Sequence, residues 1–289
     1  MSDNIDFNEL RKRAVSQPLV VDKYTADPSA HVFDGKIYIY PSHDIDAGIP
    51  FNDNGDHFGM RDYHAYTMES PDDKLAIDLG KILDIDEVPW AKRQMWAPDI
   101  ARKGDKYYFY FPAKDKDDIF KIGVAIGDSP SGPFTPDPKP IEGSYSIDPA
   151  VFNDNGKYYM YFGGLWGGQL QKYRNNIYSN RNELRSDDDF AFGPLVAELS
   201  DDMRGFSTSP EEIIIQDENG NPLLAGDNSR RYFEGPWMHK YNKKYYLSYS
   251  TGDTHFICYA IGDTPKGPFK YAGKILDPVV GWTTHHSIF

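Results

Sequence analysis

Apolar and polar residues alternate with a period of two in short runs along this chain, and four of the runs repeat one phrase. The segments "DPSAHVFDGKIYIY" (27–40), "APDIARKGDKYYFYF" (97–111), "DPAVFNDNGKYYMYF" (148–162) and "EGPWMHKYNKKYYLSY" (234–249) align on a shared lysine: Lys36, Lys106, Lys157 and Lys244. Each reads as strand, tight turn, strand. Asp34-Gly35, Gly104-Asp105, Asn155-Gly156 and Asn242 supply the positive φ or local side-chain bonding that two-residue hairpins need. Alternation after the turn, as in Tyr38/Tyr40 and Tyr159/Tyr161, puts one face of the second strand in a core.

A second pair of phrases follows two of these hairpins: "IGVAIGDSPSGPF" (122–134) and "ICYAIGDTPKGPF" (257–269). Both read as a third strand and a Pro/Gly turn into an outer strand. Four strands make one sheet, and radial repetition of such sheets makes a propeller. The shared lysines are unevenly spaced, which places insertions between blades, and 43–64 and 165–190 read as loop-rich. A β-sandwich also has short strands between turns, but repeated whole phrases weigh against it. The chain stops at "GWTTHHSIF", where a fifth hairpin starts. The expected architecture is all-β: a single five-bladed β-propeller over 1–289, with an N-terminal extension at 1–20 and an incomplete last blade.

Composition agrees with strands, because 21 Tyr and 17 Phe suit a pleated surface. A net charge of −13 repels phosphate backbones, so nucleic acid is not an expected partner. Cys258 stands alone and forms no intrachain disulfide. The polar start "MSDNIDFNELRKRAVSQPLVV" has no apolar block of signal-peptide length, and no run spans a membrane. The expectation is a cytoplasmic protein without a membrane partner, or a secreted one if a leader has been removed.

Three acids share a place in the repeat. Asp27 and Asp148 lie nine residues before the shared lysine and precede Pro, and Glu234 lies ten before it. An isolated Asp-Pro is an ordinary turn element. First strands of propeller blades line the axis, however, so the three acids are expected to meet at one mouth of the channel. Other chemistries fail on spacing. "PFNDNGDHFGMR" and "QDENGN" misplace the EF-hand ligands, no Walker A or dinucleotide-binding glycine pattern is present, and one cysteine excludes a multi-thiolate zinc site.

With "ADPSAHVFDGKIYIYPS", "SIDPAVF", "FEGPWMHK" and "HHSIF" in this order, the chain resembles glycoside hydrolase family 43 over roughly residues 20–289. The resemblance implies a five-bladed propeller and an inverting glycosidase. It also implies roles: Asp27 as general base, Asp148 as the residue that orients the acid and tunes its pKa, and Glu234 as general acid. Inversion needs a protonated carboxyl at the leaving oxygen and an ionised one behind the sugar, about 6.5–9.5 Å apart. Repulsion from Asp148 and burial against Trp237 and Phe233 would both keep Glu234 protonated. The implied activity is exo-release of β-1,4-linked xylose from xylo-oligosaccharides. The alternatives are α-L-arabinofuranosidase, endo-arabinanase if the groove is open, and a carbohydrate-binding propeller without catalysis.

Further candidates carry two readings each. Trp96, before an inner strand, and Trp166, in "GGLWGG", are sugar platforms or core. His31, on the strand face of Asp27, meets substrate or is satisfied by backbone. His255 is placed on the third strand of the Glu234 blade as a possible substrate contact. Arg61 and Asp62 fall in an insertion that would overhang the mouth, and that insertion would wall off one end of the cleft. By resemblance, His286 or His285 holds a hydrated Ca²⁺ in the axial channel, the other reading being histidines bonded to backbone. The family also uses a substrate-binding arginine from beyond the point where this chain stops.

Overall fold

The computed structural model describes Lys12, residues 17–278 and residues 285–289. Four antiparallel blades follow one another. The first is β1 (Thr25–Phe33), β2 (Lys36–Asp46), β3 (Phe58–Met68) and β4 (Ile77–Asp84). The second is β5 (Asp99–Lys103), β6 (Lys106–Lys114), β7 (Phe120–Gly127) and β8 (Thr135–Pro136). The third begins with β9 (Ala150–Asp154) and β10 (Lys157–Phe162). A side hairpin interrupts it, β11 (Tyr173–Arg174) and β12 (Ile177–Tyr178), before β13 (Leu195–Glu198) and β14 (Glu211–Glu212) complete the sheet. A short strand, β15 (Ile215–Gln216), precedes the fourth blade of β16 (Glu234–Tyr241), β17 (Lys244–Ser250), β18 (Ile257–Gly262) and β19 (Phe269–Leu276). β15 joins that blade's outer edge, parallel to β19.

The expected hairpins are present in all four blades. Asp34, Gly35, Gly104, Asn155, Gly156, Asn242 and Lys243 adopt positive φ in the turns, which closes the hairpins with the hand that strand twist requires. The stretch expected to start a fifth hairpin lies partly outside the described residues, and 285–289 form no strand. The 1–20 extension likewise falls mostly outside them. Among the described residues no helix is long and apolar enough to cross a membrane.

Two of the supposed insertions are more regular than their composition implies. β2 and β3 run on past the blade core, so the loop in 43–64 shortens to residues 47–57. Polar residues such as Asp44, Asp62 and His64 hide these strand extensions because both faces there carry charge. Within 165–190, two 3₁₀ turns and the β11–β12 hairpin give local order.

The core lies between blades rather than within them. Tyr40, Tyr63, Phe109 and Phe111 fill the space between the first two blades, and Tyr161, Met160, Leu247 and Tyr249 that between the last two. A buried tyrosine must place its hydroxyl. Tyr40, Tyr110 and Tyr161, each four residues after the shared lysine, solve this in the same way. Each donates to a carbonyl in the turn between the third and fourth strands of the next blade: Pro130 at 2.6 Å, Met203 at 2.9 Å and Pro265 at 2.7 Å. The fourth blade has Ser248 at this place, and its Oγ shares a 2.6 Å hydrogen bond with His286 Nε2.

Around the axis, β1 touches β5, β5 touches β9 and β9 touches β16. Asp99 of β5 is fully buried there. It accepts from His31 Nε2 of β1 at 2.6 Å and from the Val151 N–H of β9 at 2.6 Å, which ties three innermost strands together. The backbone partner expected for His31 is thereby corrected: its Nε2 is held by a carboxylate, and its ring packs on Phe33 and Trp237. Asp99→Ala leaves a half-buried imidazole and a half-buried N–H unpaired. It should destabilise the fold by about 2–4 kcal/mol in urea titrations, with Asp99→Asn costing less because one acceptor oxygen remains. Equal stability of Asp99→Ala and wild type would show that the tie is idle.

Candidate active site

Local backbone geometry sets where the acids point. Asp27 and Asp148 are non-glycine residues with φ of 52° and 57°, each directly before Pro. Holding such residues in the left-handed region costs of order 1 kcal/mol each. The corresponding slot in the fourth blade, nine before the lysine, is Gly235 with φ 62°. A Cβ there would lie 3.5 Å from the His285 ring, an ordinary contact, so conformational freedom is what glycine supplies. Strand register slips between Ala26 and Ser29 and again between Glu234 and Trp237. These bulges turn the side chains off the ladder and toward the axis. In the fourth blade the acid is therefore the residue before the kink, and the one-residue offset of Glu234 follows.

Asp27, Asp148 and Glu234 line one cavity of roughly 310 Å³, with Trp96, Trp166 and His285 also on its wall. Asp148 and Glu234 are buried, and the Asp27 side chain is 19% exposed. Asp148 Oδ2 accepts the Gly235 N–H at 2.9 Å, so backbone fixes it beside Glu234. Ser42 Oγ donates to Asp27 Oδ2 at 3.4 Å, and His285 Nδ1 lies 3.5 Å from Asp27 Oδ1.

Burial, then the charges of Asp148 and Asp27, push the Glu234 carboxyl well above the ordinary glutamate range. Asp148 is pushed up to about 7, chiefly by burial and further by Asp27, against the downward pull of His285 and the Gly235 N–H. Burial pulls His285 down, but its bond to Asp27 and the charges of Asp27, Asp148 and Asp99 outweigh this, and the net direction is up. The cavity thus holds a buried carboxyl pushed toward its protonated form together with a more exposed acid. Such a pair is what acid–base cleavage of a glycosidic bond requires.

Two loops shape the walls. Residues 47–57 are pinned from below: Gln94 Nε2 donates to Gly55 O at 2.7 Å, Trp96 Nε1 to Phe58 O at 3.1 Å, and Arg93 to Asp56 at 2.8 Å. Lys114, buried and drawn down to about 8 by that burial, lies 3.5 Å from Asp56. The glycine-rich loop passes close above, since a Cβ on Gly167 would stand 3.2 Å from Asn54 backbone and one on Gly164 3.1 Å from Glu234 Cβ. Trp96 and Trp166 both line the cavity, and Trp96 also packs on Phe120 and Phe58.

Other expectations need correction. His255 is in the turn between β17 and β18 with φ 55°, not on the third strand, and that turn reaches the cavity through Asp253. Arg61 and Asp62 belong to β3 rather than to an overhanging loop. Arg61 pairs with Asp86 at 2.8 Å, and Asp62 with His43 at 2.6 Å. His286 turns to Ser248 and away from the cavity, and burial with the nearby His285 and His239 drives it down to about 3. Of the pair, His285 is the cavity residue.

Sequence reasoning also passed over Asp44, which lines the cavity and is raised to about 6 by burial and by Asp27. A signal existed. Asp44 continues the alternation Tyr40, Ser42, Asp44 along the strand paired with that of Asp27.

The sequence profile described as Glycosyl hydrolases family 43 matches residues 17–280. A "Xylosidase/arabinosidase" of Bacteroides ovatus is 58% identical over 271 residues, covering 93% of this chain and 83% of that protein. "Xylosidase/arabinosidase 43A" of Humicola insolens is 59% identical over 280 residues, covering 94% and 86%. Among solved structures, a β-xylosidase/α-arabinofuranosidase from a compost microbial metagenome, in complex with xylotriose and calcium-free, superposes with a TM-score of 0.93. It is 63% identical and covers 96% of this chain and 85% of that one. Since the profile spans Asp27, Asp148 and Glu234 and these relatives cover 93% and 94% of the chain, it belongs to glycosyl hydrolases family 43.

Proposed function

We propose that the protein is an inverting exo-β-xylosidase that releases β-1,4-linked xylose from xylo-oligosaccharides, with α-L-arabinofuranosidase activity at the same site. The observation that carries this reading is the convergence of three carboxyl groups in one cavity beside the pinned loop 47–57. Phe51, Asn52 and Asp53 of that loop stand on the cavity wall and favour removal of a terminal sugar over passage of a long chain. Relatives named for both xylosidase and arabinosidase activity support the dual assignment.

In this mechanism Asp27 takes a proton from a water molecule as its oxygen bonds to C1. Glu234 gives its proton to the glycosidic oxygen as the C1–O bond breaks on the opposite side. Asp148 contributes repulsion that keeps Glu234 protonated, and it is held in place by Gly235. Trp96 and Trp166 offer flat faces for the sugar's C–H surfaces.

A hydrated Ca²⁺ fits beside His285, because one imidazole and the nearby carboxylate of Asp27 present few direct ligands and leave room for water. When bound, such an ion would offset the mutual repulsion of the acids. We also assign the fold five blades. Ser248 and the His286 segment mark the face of the fourth blade that would receive the next sheet.

Proton NMR during xylobiose hydrolysis should show α-xylose as the first-formed product from the non-reducing end, and first-formed β-xylose would refute inversion. Inactivity of the folded protein on both aryl β-xyloside and aryl α-L-arabinofuranoside would favour a binding role. Glu234→Gln should lower kcat/KM on xylobiose by about 10²–10⁴-fold, and much less on a dinitrophenyl xyloside whose leaving group needs no proton. Equal losses on the two substrates would remove Glu234 from the acid role.

A further inference from the structure

On the face of the first blade away from the second, two imidazoles and a carboxylate meet. Asp62 and His64 are two apart on β3 and so project on one side, and His43 joins them from the paired strand β2. His43 Nδ1 donates to Asp62 Oδ1 at 2.6 Å, His64 Nε2 is 3.9 Å from Asp62 Oδ2, and one ligand atom from each residue lies within 4.8 Å of the others. Side-chain exposures of only 21%, 20% and 13% show a group held by its surroundings.

Tetrahedral zinc with bonds of 2.0–2.1 Å needs ligand atoms about 3.3 Å apart. Two of the separations approach this spacing: His43 Nδ1 and Asp62 Oδ1 would open from 2.6 Å, and His64 Nε2 would close on Asp62 Oδ2 from 3.9 Å, each by less than about an ångström. The free nitrogen of His64 is preset for the task. Its Nδ1 shares a 2.9 Å hydrogen bond with Asp78, and Asp78 is held by Lys23 at 2.7 Å, so Nε2 is the nitrogen turned toward Asp62. A carboxylate behind an imidazole is the arrangement that orients metal-binding histidines.

We propose that His43, Asp62 and His64 form a binding site for one divalent transition ion of the zinc class, with water as a further ligand and Asp78 as the residue that orients His64. Two nitrogens and one oxygen suit Zn²⁺ and disfavour Ca²⁺, which seeks mainly oxygen. The ion would fasten β2 to β3 where the two strands extend beyond the blade core. It is separate in place and chemistry from any cation at His285.

Isothermal titration of the EDTA-treated, dialysed protein with Zn²⁺ tests the site. One equivalent should bind that excess Ca²⁺ does not displace, and this equivalent should vanish in His64→Ala and Asp62→Ala. Asp78→Asn should weaken it about 10–100-fold. Co²⁺ substitution should give the visible absorption of a four-coordinate site in wild type and not in His64→Ala. Circular dichroism of the metal-free variants confirms that they are folded, and Asp78→Asn, which keeps all three ligands, guards against a misfolded His64→Ala. Absence of tight Zn²⁺ binding in wild type, or binding unchanged in these variants, would overturn the assignment.

Discussion

Asp99 holds the centre of this molecule. It is a carboxylate with no access to solvent, and its two oxygens are claimed by His31 of β1 and by the Val151 N–H of β9. Asp27 lies near the start of the first of these strands, and Asp148 two residues before the second. A buried carboxylate is tolerable only when fully partnered, so the strands cannot separate without exposing a severe electrostatic fault. The spacing of the two acids therefore rests on an acid that never meets the cavity. The tyrosines that reach from each blade to the next act in the same sense farther out, fixing rotation between sheets.

Given that frame, the chemistry follows from burial and like charge. Glu234 is shut in behind the glycine-rich loop and faces Asp148, so its ionised form is penalised twice. Asp27 is more open and has Ser42 and His285 as neighbours. The arrangement opposes stability. A carboxyl whose pKa is raised by folding binds its proton more tightly in the native state, so the fold weakens as pH rises from the ordinary glutamate value through the raised one. Left-handed φ at Asp27 and Asp148 adds strain at the same place. Both costs fall on residues that a purely structural propeller has no reason to carry.

Much of this was legible in the chain. Hairpins declared themselves through Asp-Gly and Asn-Gly turns and a shared lysine, because turn conformation is a local property. The three acids could be aligned because each sits at a fixed offset from its turn. Residues whose partners come from other blades were not legible. His31 depends on Asp99, 68 residues away, and His286 on Ser248, 38 away. His255 was misplaced by one structural step, since "TGDTHF" forms the turn and the strand begins at Ile257. Arg61 and Asp62 looked like loop because strand extensions with charge on both faces lack hydrophobic alternation. Asp44 was hidden in the same polar extension.

Direct titration of the Glu234 carboxyl tests the electrostatic account most closely. Carbon-13 NMR of protein labelled at glutamate carboxyls, assigned by loss of one resonance in Glu234→Gln, reports that group alone. The account predicts a midpoint well above the usual glutamate value of about 4.3, moving down toward it when Asp148→Asn removes the opposing charge. A midpoint in the ordinary range, unmoved by Asp148→Asn, would contradict it.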